Sequence, residues 1–66
     1  MANKSTIHYF YLDEEYDAVF KINFEKETAH WKIKGKEEKE IVYNNKNVGR
    51  AHVYGDEISE KEYNEF

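Results

Sequence analysis

Three histidines stand twenty-two residues apart in similar company: His8 in TIHY, His30 in TAHW and His52 in RAHV. Imidazoles at one interval raise the question of a shared metal ion. Nitrogens bound to one zinc lie about 2 Å from it, whereas residues on alternate strands of a flat sheet are roughly 9 to 10 Å apart. No HxH or HExxH spacing compensates. The histidines are therefore read as solvent-facing side chains, with no metal and no cofactor expected. The halves between them do not match one another, so the interval reflects one hairpin per period and not a duplication.

Nucleophilic catalysis fares no better. The hydroxyl side chains other than tyrosine are Ser5, Thr6, Thr28 and Ser59, and Ser59 is engaged as a helix cap. Fourteen carboxylates are available for acid and base work, but most fall in turns or on the helix, where water keeps their pKa values ordinary. The three glycines are isolated, so no phosphate-cradling loop exists. The chain is expected not to be an enzyme.

What remains is surface, and the elements decide how it is arranged. Residues 1 to 5 read as a flexible tail, and residues 6 to 66 as one domain. TIHYFYL, residues 6 to 12, is β-branched and aromatic and reads as a strand, with Ile7, Tyr9 and Tyr11 on one face and His8, Phe10 and Leu12 on the other. Both faces are apolar, as in a strand inside a sheet. YDAVFKINF, residues 16 to 24, alternates cleanly, with Ala18, Phe20 and Ile22 turned inward. A short acidic turn between the two strands would place Ile7 beside Phe20 and Tyr9 beside Ala18. A third strand is AHWKIK, residues 29 to 34, with Ala29, Trp31 and Ile33 inward; EIVY, residues 40 to 43, is a fourth, and residues 48 to 54 a fifth.

At the C-terminus Ser59 and Glu62 form a capping box, flanked by Ile58 and Tyr63 at the hydrophobic-staple positions, which predicts a helix over 59 to 66. Two turns are too few to persist alone, so Tyr63 and Phe66 should anchor it on the sheet. The predicted fold is α+β, mainly β: a single small antiparallel meander of about five strands, as an open sheet or a small barrel, with a short C-terminal helix packed on it.

Two charged surfaces follow from that topology. Turns of a meander alternate between the sheet's two ends, so Asp13, Glu14, Glu15, Glu37, Glu38, Asp56 and Glu57 gather at one end, with Glu60 close behind. Such a rim attracts a basic partner, with steering that weakens as salt rises. The outward sheet face collects His8, Phe10, Lys21, His30, Lys32, Lys34, Arg50, His52 and Tyr54, a basic and aromatic set suited to nucleic acid. There Lys21 would face Lys32 directly, a like-charge pair that calls for an anion such as phosphate or the side chain of Asp17. Against that use stand a net charge of -4 and a single arginine.

Composition sets the frame. Sixty-six residues without cysteine must be stabilised by packing alone, near the lower size limit for a domain. Aromatic residues, at 17%, supply large buried areas. His8, Phe10, Leu12 and Val19 form an apolar outer patch that could extend the core in a homodimer. No apolar run approaches the ~20 residues of a membrane span, the N-terminus lacks the pattern of a signal peptide, and no membrane association is expected. The abundance of Lys, Asn, Ile, Tyr and Phe fits an AT-rich genome. The favoured reading is a small acidic, non-enzymatic protein-binding module of the bacterial cytoplasm, phage or mobile-element encoded, that inhibits or modulates a larger host protein with a basic, nucleic-acid-binding surface. The alternative is a small nucleic-acid-binding domain using the basic sheet face.

Overall fold

The structure is a computed structural model that describes residues 8–66; the expected tail at residues 1 to 5, and Ile7, lie outside the described residues. Two hairpins begin the fold: β1 (Tyr9–Asp13), β2 (Ala18–Asn23) and β3 (Thr28–Ile33) pair antiparallel in order. Both turns span four residues and end on a left-handed residue, Asp17 (φ 54°) and Glu27 (φ 57°). Each is opened by a buried side chain that accepts a backbone N–H from inside the turn. Asp13 Oδ1 receives Glu15 N at 3.1 Å, and Asn23 Oδ1 receives Lys26 N at 2.9 Å. Asx residues suit this role because a short side-chain acceptor imitates a backbone carbonyl.

The observed register pairs Tyr9 with Ile22, Tyr11 with Phe20 and Asp13 with Ala18. Tyr9 therefore does not lie beside Ala18, although the division of β1 into faces is as the alternation predicts. The turn is longer than a tight hairpin, and that length slides the strands while preserving parity.

β4 (Lys39–Ile41) follows β3 along its free edge. The chain then departs from a simple meander. Residues expected to form the fifth strand are instead a helix, α1 (Lys46–Tyr54). Asn45 caps it by accepting Asn47 N at 2.8 Å, and Val48 and Ala51, three residues apart, are its buried positions. α1 crosses one sheet face and delivers the chain to the far edge, where β5 (Asp56–Ile58) pairs with β1. Strand order is β4-β3-β2-β1-β5, an open antiparallel sheet. β1, apolar on both faces, has neighbours on both sides. α2 (Glu60–Glu65) closes the chain with the full capping box between Ser59 and Glu62.

Helices cover both faces. On the α1 side the core comprises Tyr11, Ala18, Phe20, Ile22 and Ala29 against Val48 and Ala51, with Trp31 and Phe24 at its margin. On the α2 side Phe10 and Val19 pack against Tyr63, flanked by Leu12, Ile58 and Phe66. Tyr63 and Phe66 thus anchor α2 as its spacing predicts. Val19 is fully buried and Phe10 is 8% exposed, so the expected apolar dimer patch is already covered by the chain's own helix. Burial of that aromatic set, at roughly 25 cal/mol per Å², is the dominant favourable contribution a chain of this size can make.

Candidate protein-binding surface at the acidic end

The end of the sheet where β1 and β3 finish and β5 begins is built by one close approach. Gly55 N–H closes α1 on the Ala51 carbonyl at 2.9 Å. A Cβ on Gly55 would lie 2.5 Å from that oxygen and 2.7 Å from the Leu12 carbonyl oxygen. Only glycine lets the end of α1 press this close to β1. β5 starts at once, with Asp56 opposite Leu12 and Glu57 opposite Tyr11.

Arg50, on the exposed flank of α1, then reaches the β1–β2 turn. Its Nε donates to Asp13 Oδ2 at 3.3 Å, its Nη2 pairs with Glu15, and its guanidinium lies 5.3 Å from the centre of the Tyr16 ring. With Oδ1 taken by Glu15 N–H, both oxygens of the buried Asp13 are satisfied, as a carboxylate removed from water requires. Between turn and helix lies a groove of about 170 Å³ lined by Leu12, Asp13, Glu14, Glu15, Arg50, Tyr54, Gly55 and Asp56. Tyr54, 81% exposed, forms part of its wall.

The sequence places the acidic rim correctly in part. Asp13, Glu14, Glu15 and Asp56 meet around the groove, and Glu57 follows one residue into β5. Glu37 and Glu38 belong to the link after β3, at the same end of the sheet. Glu60 does not join them. It follows Ile58, which pairs with Phe10, and its charge acts on His8 at the start of β1, towards the other end. Three members are ion-paired internally: Asp13 and Glu15 share the single charge of Arg50, and Glu38 pairs with Lys21 at 3.3 Å. Glu14, Glu37, Asp56 and Glu57 form no ion pair with another described residue and stay exposed.

The basic sheet face is dismembered. Arg50, His52 and Tyr54 sit on α1, on the opposite side of the sheet, and Lys34 lies in the turn after β3. The imidazole of His52 packs 5.5 Å from Tyr11 and 4.8 Å from Phe24, ring centre to ring centre. The three histidines therefore do not share a face. His8, Phe10, Lys21, His30 and Lys32 remain together, beneath and beside α2. Lys21 stands opposite His30, and Lys32 opposite Val19, so the two lysines are not directly paired. The anion on Lys21 is Glu38, not Asp17. Burial, and then the nearby Lys21, lower the His8 pKa below its usual value, with Glu60 partly opposing them.

Sequence reasoning missed the partnership of Arg50 with the acidic turn and assigned Tyr54 to the wrong surface. Both errors follow from reading residues 48 to 54 as a strand. The helical alternative was signalled by Asn45 ahead of Val48 and Ala51 at i and i+3, which also sets Arg50 and Tyr54 one turn apart.

Among the described residues no three His, Asp or Glu side chains converge as a metal site requires, and no helix is long and apolar enough to cross a membrane. Compared with known proteins, the chain matches no family model, no curated protein and no solved structure.

Proposed function

We propose that the protein is a small, non-enzymatic protein-binding module that docks a basic surface of a larger partner through its acidic end. The observation that carries this reading is the exposure of Tyr54 beside the groove whose open carboxylates are Glu14 and Asp56. An exposed tyrosine ringed by charge has the composition of an interface anchor. The ring buries a large area at low entropy cost, and the surrounding charges guide approach. Arg50 ties the β1–β2 turn to α1 and Gly55 closes the helix end against β1, contacts that lower the ordering cost of binding.

A partner surface complementary to this end is rich in Lys and Arg, as nucleic-acid-binding surfaces are. Occupying it would make the module an inhibitor or modulator of that partner, and the reading places the encounter in the cytoplasm of a bacterial cell, one infected by a phage included. The test compares the wild-type chain with a Tyr54→Ser, Glu14→Lys, Asp56→Lys variant as bait in nuclease-treated bacterial lysate. A protein retained by the first and lost by the second supports the proposal, and equal retention refutes it.

A further inference from the structure

We propose that the sheet face beneath α2 is a binding face for single-stranded nucleic acid which the C-terminal helix holds closed. The cations that remain on one side of the sheet, Lys21 and Lys32 with His8 and His30, share that side with Phe10, which stands opposite Lys21 and beside His8, and an acidic helix packs there. α2 carries Glu60, Glu62 and Glu65 against Lys61 alone. Its groups occupy the places a nucleotide would take. The Tyr63 ring lies 5.3 Å from Phe10, centre to centre and tilted by 49°, as a base would sit on an aromatic platform. Lys32 Nζ is 4.7 Å and Lys21 Nζ 5.9 Å from the centre of the same ring. Lys32 Nζ donates to the Asn64 carbonyl oxygen of α2 at 3.3 Å, and Glu38, on the link between β3 and β4 and bonded to Tyr63, holds Lys21 at 3.3 Å.

This occupant is short, and Tyr63 is its anchor in the core. A six-residue helix does not persist without its contacts. Ser59 joins it to β5, so detachment gives up the cluster of Phe10, Val19 and Tyr63, whereas the strand pairing and the α1-side cluster include no residue of α2. Segments of this kind open well below the free energy of global unfolding. Binding to the uncovered face is then weakened by the small fraction of molecules that are open, and anything that loosens α2 without changing charge tightens it.

The experiment is fluorescence anisotropy of a labelled oligo(dT) at low and moderate salt with two charge-neutral variants. Ser59→Ala removes the cap from an exposed position, and Tyr63→Phe keeps the ring but removes the bond to Glu38. Each is expected to tighten binding about fivefold and the pair about twenty-fivefold, with Lys32→Glu abolishing the gain. Unchanged affinity in Ser59→Ala, which retains every core side chain, overturns the proposal even if Tyr63→Phe folds poorly. A gain that poly-glutamate competes away as well as oligo(dT) overturns the assignment to nucleic acid and gives the face to acidic peptides. The acidic-end variant used to test partner docking leaves α2 untouched, so the two proposals fail separately.

Discussion

The Tyr63 hydroxyl donates a 2.7 Å hydrogen bond to Glu38, joining the C-terminal helix to the link between β3 and β4. Tyr63 is 1% exposed, and its pKa is driven far up by burial and then by the bond to Glu38. Burial and that bond therefore favour the protonated phenol, the form that donates to Glu38. Lys21 completes the arrangement, and Lys32, 4.7 Å from the centre of the Tyr63 ring and bonded to the Asn64 carbonyl, holds the helix beside the packing of Phe66.

Replacing Tyr63 by Phe is expected to cost about 1 to 2 kcal/mol, because Glu38 loses its donor while packing is retained. Tyr63→Ala, which also empties space against Phe10 and Val19, should cost about 3 to 5 kcal/mol. Urea denaturation monitored by tyrosine and tryptophan fluorescence measures both. Equal losses for the two variants would show that the hydroxyl bond carries the whole contribution, contrary to the packing described.

Acid should destabilise the fold in two steps. The bond from Tyr63 holds the Glu38 carboxyl below its usual value near 4.5, and Lys21 adds to this against a desolvation penalty. The unfolded chain thus takes up that proton first, so the stability linked to Glu38 is complete above about pH 4.5 and is lost as pH falls through the folded value. His8, held below its usual 6.5 by burial, has the same sign: its contribution is complete above 6.5 and is lost as pH falls below it. Urea midpoints measured from pH 7.5 to 3.5 should decline in both ranges, and His8→Gln should flatten only the upper one.

The end of α1 tolerates no side chain at Gly55. Gly55→Ala forces a methyl group against two backbone oxygens and is expected to destabilise by about 1 to 3 kcal/mol. Displacement of Tyr54 and Asp56 should accompany it, visible as amide shift changes confined to residues 50–57 and the β1–β2 turn.

The hairpin turns offer the opposite outcome. Glu27 adopts a left-handed backbone at φ 57° with an exposed side chain, so Glu27→Gly should stabilise by roughly 0.5 to 1 kcal/mol. Asp17, at φ 54°, should gain less, because aspartate accepts that conformation more readily. Thermal melting of the two single variants tests the order.

Much of this architecture was legible because its cues are local. Alternation in YDAVFKINF fixes which residues of β2 face each helix, and Ser59 with Glu62 fixes the start of α2. The central error has a physical origin as well. Val48, Gly49 and Val53 favour helix weakly, and Ala51 with Val53 imitates strand alternation, so tertiary burial of Val48 and Ala51 decides the helix that propensity does not. Once that segment folds across the sheet, Arg50 meets Asp13 and Glu15 and Tyr54 moves to the acidic end. Neither contact is foreseeable from spacing, since each joins residues more than thirty positions apart. The acidic end was legible in part: strand direction brings the β1–β2 turn and the link after β3 to one end, whereas Asp56 and Glu57 arrive there through α1 and stand in β5 rather than in a turn.

The central claim is that the acidic end with Tyr54 is the docking surface, and the paired-bait retention experiment tests it most directly. Nuclease-treated bacterial lysate is passed over the wild-type chain, the Tyr54→Ser, Glu14→Lys, Asp56→Lys variant and a Lys32→Glu control, at low and moderate salt, and retained proteins are quantified by mass spectrometry. The account predicts a basic protein held by the wild type and by Lys32→Glu, weakened by salt and lost from the acidic-end variant. A partner held equally by all three baits, or lost only with Lys32→Glu, would contradict it.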